Sequence, residues 1–277
     1  MDVDAFATAL PARFGGDLGR SDPPDDRFAD VVTRVPGMST EHALAVLDLA
    51  VEHLPDGECY LEVGSFRGRS AIGALRDHPE RAGVAVESFA EFGGDPADGH
   101  RELMRSLAEF GCTDRVSVVV GDAFRLLRPG LTDRPVGVYF YDGAHSRVAQ
   151  YLGLGLAEAL LADRALVLVD DASWPQVRSA TERYLARRSG YRVVADLPAD
   201  HDFDPRWCNG LLVLEWRRPP GWSPATGWHI EWRRRTHLWL LAPMRTLAYK
   251  LLSGRPRLAD LARRLYLHGG TQVARRP

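Results

Sequence analysis

The stretch Cys59-Tyr60-Leu61-Glu62-Val63-Gly64-Ser65-Phe66-Arg67-Gly68-Arg69-Ser70 decides the fold. Its first five residues are a short, mostly apolar run of the kind that forms a strand covered on both faces. The run enters a turn with two glycines and continues into helix-forming residues at 70–75. Strand, glycine turn and helix in this order make the first unit of an open parallel sheet, with its turn at the carboxyl end of the strand. Gly64 permits a tight turn and close backbone approach, and Gly68 lets the chain enter the helix against a ligand. Ser65 and Ser70 can donate hydrogen bonds there. The spacing is E-x-G-x-x-x-G-x-S, not the G-x-G-x-x-G of a dinucleotide pyrophosphate turn. Glu62 beside the first glycine opposes an anion and suits the cationic end of a ligand. The plainer reading is that any strand–helix turn favours glycine.

Working outward, the same alternation recurs. Strands are expected at 83–86, 116–120, 136–141, 165–169, 191–195 and 211–216. Helices are expected at 99–110, 123–127, 147–161 and 176–188, and before the first strand a helix capped by Ser39. Apolar strands alternating with helices imply an α/β, Rossmann-like sheet of seven mostly parallel strands with helices on both faces. Residues 196–209 are too short and too polar for a parallel crossover, so the last two strands are expected as an antiparallel hairpin. The expected organisation is residues 1–38 as an N-terminal helix and mobile segment, 39–216 as the sheet domain, and 217–277 as a basic helical C-terminal extension.

Ligands in such sheets bind beyond the carboxyl ends of the strands, and these ends carry acids. Glu87 ends the second strand, where a carboxylate can accept both ribose hydroxyls. Gly121-Asp122-Ala123 ends the third; Asp122 can accept from an adenine amino group or simply cap the next helix. The fourth ends Asp142-Gly143-Ala144-His145-Ser146 and the fifth Asp170-Asp171. Asp142, Asp170 and Asp171 at adjacent strand ends are costly together unless a positive charge sits among them. A hard divalent cation such as Mg²⁺ resolves that cost; the alternative is that each caps its own helix. His145 faces the same mouth and is a candidate general base.

Composition narrows the field. The 277 residues are 45% hydrophobic and 26% charged with a net charge of −2, an ordinary globular balance. Cys59, Cys112 and Cys208 are scattered, which argues against a disulfide framework or a zinc site and for a reducing compartment. The acidic start MDVDAF does not resemble a secretory signal, and no apolar run is long enough to span a membrane, so a cytoplasmic location is expected. The near-neutral average hides a divide. Residues 217–277 hold thirteen Lys+Arg and two Asp+Glu, a balance of +11, leaving −13 for residues 1–216. Lys250 is the only lysine.

Together these residues resemble the class I S-adenosylmethionine-dependent methyltransferases, over about residues 40–216. Glu62-Val63-Gly64-Ser65-Phe66-Arg67-Gly68-Arg69-Ser70 resembles the family's first motif, which contacts the methionine part of the cofactor. Glu87 falls at the ribose acid, and Asp122 and Ala123 at the adenine. Asp142-Gly143-Ala144-His145-Ser146 followed by Val169-Asp170-Asp171 is similar to the small-molecule O-methyltransferases, catechol and macrocin-type sugar enzymes included. Metal-dependent members bind Mg²⁺ at the positions of Asp142, Asp170 and Asp171. Catechol-type enzymes have Asp-Asn as the second pair and a lysine base after the first acid; here the pair is Asp-Asp and no lysine stands there. The resemblance implies S-adenosylmethionine as cofactor, S-adenosylhomocysteine as product, and methylation of a hydroxyl on a sugar, polyol or phenol, with His145 the nearest base and an Asp on the metal, Asp142, the alternative.

Phe92, Trp174, Phe203 and Trp207 are candidate walls for the acceptor. The apolar residues of the extension suit docking on the body or assembly into a homo-oligomer. A peripheral membrane contact is a weaker reading, and nucleic acid is not expected because the acidic body repels it. Two other functions fit the sequence: a nicotinamide-dependent oxidoreductase, and a non-catalytic scaffold acting through the basic tail.

Overall fold

The computed structural model describes residues 1–89, 95–222, 228–241 and 244. Its seven strands are β1 (Cys59–Val63), β2 (Gly83–Glu87), β3 (Val116–Val120), β4 (Val136–Tyr141), β5 (Leu161–Val169), β6 (Tyr191–Leu197) and β7 (Leu211–Arg217). They form one sheet in the order β3-β2-β1-β4-β5-β7-β6. The pairs among β1 to β5 are parallel, while β7 runs antiparallel to both β5 and β6. The expected terminal hairpin is therefore present, inserted with β7 inside and β6 at the edge.

Successive strand residues point to opposite faces, and each face has its own core. Tyr60, Val138, Phe140, Leu166 and Leu168 pack with α1 (Val3–Arg13), α2 (Ala29–Arg34), α3 (Glu41–Glu52), α4 (Arg69–Leu75) and α5 (Pro96–Glu109). Leu61, Val63, Tyr139, Tyr141, Val167 and Val169 pack on the other face with α7 (Arg147–Ala157) and α8 (Pro175–Leu185). The short α6 (Ala123–Leu126) follows β3. From β1 the chain turns toward one face, and from β4 toward the other. The strand order reverses between them, which opens a crevice at their carboxyl ends.

Of the boundaries that differ from expectation, three show what decides between competing signals. The hydroxyl capping α3 belongs to Thr40, which accepts from the Ala43 amide, rather than to Ser39. Two adjacent hydroxyls offer the same cap, and the Thr40 Oγ also donates to the Arg206 carbonyl, which selects it. Helix α7 stops at Ala157, not Leu161, and β5 begins at Leu161, four residues early. Leu161 pairs beside Val136 and Arg164 beside Arg217, so sheet pairing claims residues whose apolar character suits either element.

Residues 1–38 contain two helices, and Val3, Phe6, Leu10, Phe14 and Phe28 are fully buried in the first core. Residues 15–27, read as mobile loop, contain no helix or strand but are tied to the body. Arg27 pairs with the buried Asp48, and the Arg20 carbonyl meets His42 Nε2 at 3.1 Å. Asp48 also holds His78 Nε2 at 2.9 Å. Burial opposes the charge on His78, but the hydrogen bond and charge of Asp48 outweigh it and raise the His78 pKa. A raised histidine pKa adds stability at low pH that is lost as pH climbs through the folded-state value. Urea midpoints are therefore expected to fall as pH rises above about 6.5, and the His78→Gln variant is expected to lack that component. Equal slopes for both chains would contradict it.

After β7, Trp222 and α9 (Trp228–Thr236) lie on the second core, Ile230 being buried there. A π-helical turn follows at His237–Leu241. The rest of the extension, with Lys250 and Leu252, lies outside the described residues. No described helix is long and apolar enough to cross a membrane.

Candidate active site

The crevice between β1 and β4 holds a cavity of about 290 Å³. It is lined by Gly64, Ser65 and Ser70 from the first turn, Glu87 from β2, Asp122, Ala123 and Phe124 after β3, and Asp142 and His145 after β4. Residues far apart in sequence thus share one wall because four parallel strands end side by side.

The first turn is held by geometry that only glycine permits. Gly64 has φ +95°, and a Cβ there would stand 1.9 Å from the carbonyl oxygen of Asp142. The missing side chain is what lets the ends of β1 and β4 meet. Phe66, two residues on, is left-handed at φ +46°, an uncommon conformation for a bulky residue. Gly68 does not line the cavity. At φ +89° it begins α4, and a Cβ would stand 2.7 Å from Leu103 of α5, so its part is packing.

Glu62 is fully buried, next to Ser65 and Ser70. Burial pushes its carboxyl up, and the nearby Ser65, Tyr60 and Ser70 hydroxyls counter that. Tyr60 donates to Oε2 at 2.7 Å, while Oε1 has no hydrogen-bond partner among the described residues. Such an unmatched buried acceptor favours a cationic or hydrogen-donating group nearby.

Glu87 ties the turns together. Its Oε2 accepts from the Phe66 amide at 2.8 Å, and its Oε1 from the amides of Ser88 and Phe89 at 2.6 and 2.8 Å. Asp122 caps α6 by accepting from the Phe124 amide at 2.8 Å, and it also lines the cavity. Capping and ligand contact are thus compatible at this position.

At the other end of the cavity, oxygen and nitrogen atoms of Asp142, His145 and Asp171 lie within 4.8 Å of one another. His145 Nε2 is 3.0 Å from Asp171 Oδ2 and 3.6 Å from Asp142 Oδ1. Asp171 is buried at φ +53°, and its Oδ1 accepts from Asn209 Nδ2 at 2.8 Å. Asp170 is not in that trio; its carboxyl is a close negative neighbour of that of Asp142. Burial and the negative neighbours raise both: Asp142 well above the usual range, Asp170 to about 7. A proton between two carboxylates marks a place where a cation can replace it.

Of the expected walls, Trp174 meets His145 edge-on at 5.2 Å and flanks the site. Trp207 does not. It is 2% exposed and packs on Phe14, which ends α1, and on His42 of α3, which together cover it. Phe203 is 47% exposed, and Phe92 lies outside the described residues. Several site residues escaped the sequence reading. Pro36, Gly37, Met38 and Ser39 line the cavity, clamped by Arg69, which donates to the carbonyls of Val32, Val35 and Ser39. Asn209, which donates to Asp171, was another, and His237 from the extension a third. Only Arg69, inside the first motif, carried a local signal.

Residues 61–172 match the family model described as a methyltransferase domain. Among solved structures, a cofactor-bound protein of MTB, Rv0187, is similar at 21% identity and a TM-score of 0.54, covering 79% of this chain and 97% of its own. The S-adenosylhomocysteine-bound methyltransferase PaMTH1 of Podospora anserina is similar at 16% identity and a TM-score of 0.51, covering 78% and 97%. A Corynebacterium glutamicum protein is similar at 13% identity and a TM-score of 0.54, covering 79% and 99%. No curated protein matches.

Proposed function

We propose that this chain, whose residues 61–172 match a methyltransferase domain, is a class I S-adenosylmethionine-dependent enzyme that transfers the methyl group to a hydroxyl of a small molecule bearing a vicinal diol, such as a sugar, polyol or phenol, with Mg²⁺ or a similar cation. One observation carries the reading. A single cavity runs from the Gly64 turn, Glu87 and Asp122 to Asp142 and His145, so a cofactor laid along the first group ends beside the second.

The residues fit both absent groups. Glu62 offers its unmatched oxygen near the turn where a positively charged donor would sit. Glu87 has lone pairs left on Oε2 for ribose hydroxyls, and Asp122 and Ala123 flank the adenine position. Asp142, Asp170 and Asp171 supply hard oxygen ligands, which suit Mg²⁺ better than imidazole does. When bound, the sulfonium supplies an activated methyl group and the cation lowers the pKa of the acceptor hydroxyl.

The chain's own part is orientation and proton transfer. Asp171 holds His145 by Nε2, and Trp174 packs against the ring edge. Nε2, which lies between Asp142 and Asp171 at the end of the cavity, is the atom that would accept the hydroxyl proton. Residues 36–39, held by Arg69, close one side of the cavity and help exclude water. The −13 balance of residues 1–216 fits this reading, since part of it lines a mouth that takes cationic ligands.

Thermal shift separates this enzyme from an oxidoreductase on the same sheet. S-adenosylhomocysteine at a hundredfold over its Kd is expected to stabilise the chain by about 2.7 kcal/mol, with no response to NAD(P)H. Stabilisation by the nicotinamide nucleotide alone would overturn the reading.

A further inference from the structure

We propose that His237 is a cofactor-binding residue, so that the C-terminal extension forms the outer wall of the adenine end of the site. The inference rests on the cofactor reading above.

Docking of the extension is built into the body. Beyond β7, the Trp222 indole donates to Glu158 Oε2 at 3.1 Å. Ile230 of α9 is 4% exposed and fills a slot over Gly155 of α7. A Cβ on Gly155 would stand 2.6 Å from Ile230 Cδ1, so the glycine makes room for the docked helix. The Arg233 guanidinium lies over the Tyr151 ring at 5.0 Å, a favourable cation–π placement. These contacts set where α9 ends.

At that end the helix loosens into the π-helical turn His237–Leu241, a feature often found at functional positions. Leu238 packs against the second core. The His237 ring meets Phe124 edge-on, with centroids 4.8 Å apart at 78°. Both rings line the cavity beside Gly121, Asp122 and Ala123, where the adenine is assigned. Two aromatic surfaces next to a carboxylate suit a flat, nitrogen-rich ring carrying an amino donor. The signal was invisible in the sequence, because His237 lies more than a hundred residues from the strand end it completes.

The test is isothermal titration of the full chain with S-adenosylhomocysteine, comparing the parent with His237→Ala, His237→Phe and Ile230→Asp. Loss of one aromatic contact to a base corresponds to about tenfold in affinity. His237→Ala is expected to bind about tenfold more weakly. Ile230→Asp, which undocks α9 and leaves His237 in place on the chain, is expected to match it. His237→Phe is expected to stay within about threefold of the parent, since the ring surface remains. His237→Ala and Ile230→Asp both within twofold of the parent would overturn the proposal. Equal losses for His237→Ala and His237→Phe would overturn it too, because ring surface would then not be what holds the purine. No binding by the parent would overturn the cofactor reading itself, and the proposal with it.

Discussion

The Gly64→Ala chain is expected to lose S-adenosylhomocysteine binding and at least about 3 kcal/mol of stability. Two costs combine. The residue sits at φ +95°, where an L side chain is strained. The added carbon would also stand 1.9 Å from a backbone oxygen of Asp142, which is no flexible side-chain tip that can swing away. Relief requires β1 and β4 to part at their carboxyl ends, which is where the cavity lies. Gly57 supplies the comparison: its φ is +84°, but nothing lies within 4 Å of the position of its Cβ. Gly57→Ala is therefore expected to cost only the conformational strain, about 1–2 kcal/mol, with binding intact. Chemical denaturation and titration on both variants check this. Equal costs at the two glycines would show that the β1–β4 approach is not what Gly64 serves.

His145→Ala is expected to lower kcat about a hundredfold or more, in the range usual for loss of a general base. Affinity for S-adenosylhomocysteine is expected to stay within about twofold, because the backbone at residues 142–145 is unchanged. Mn²⁺ affinity is expected to persist as well, since the oxygen ligands are retained. The geometry makes this a sharp question, for His145 Nε2 lies near both Asp142 and Asp171. A variant that loses Mn²⁺ affinity along with its rate would identify the imidazole as a ligand and leave the base to another group.

Much of this site was legible because its signals are local. A strand that ends in Glu62-Val63-Gly64 announces its own turn, and the acids at Glu87, Asp122 and Asp142 sit at strand ends that periodicity locates. The antiparallel closing pair followed from a connection too short and too polar for a parallel crossover. What sequence could not supply were contacts made across the chain. Trp207 had the chemistry of a stacking wall, but Phe14 and His42 bury it. Asp170 and Asp171 looked equivalent, yet the left-handed backbone at Asp171 sends its carboxylate to His145 and Asn209 while Asp170 turns to Asp142. The early start of β5 depends on pairing with Arg217, more than fifty residues away. The charge divide between body and tail was plain from composition, but its structural meaning was not. The described part of the tail reaches the cavity through His237.

The most direct test of the account is anomalous diffraction from a crystal grown with S-adenosylhomocysteine and Mn²⁺. The nucleoside is expected along Gly64, Glu87 and Asp122, with a manganese peak held by Asp142, Asp170 and Asp171 at the other end of the cavity. A nucleoside bound elsewhere, or manganese absent from those carboxylates with the cofactor in place, would contradict it.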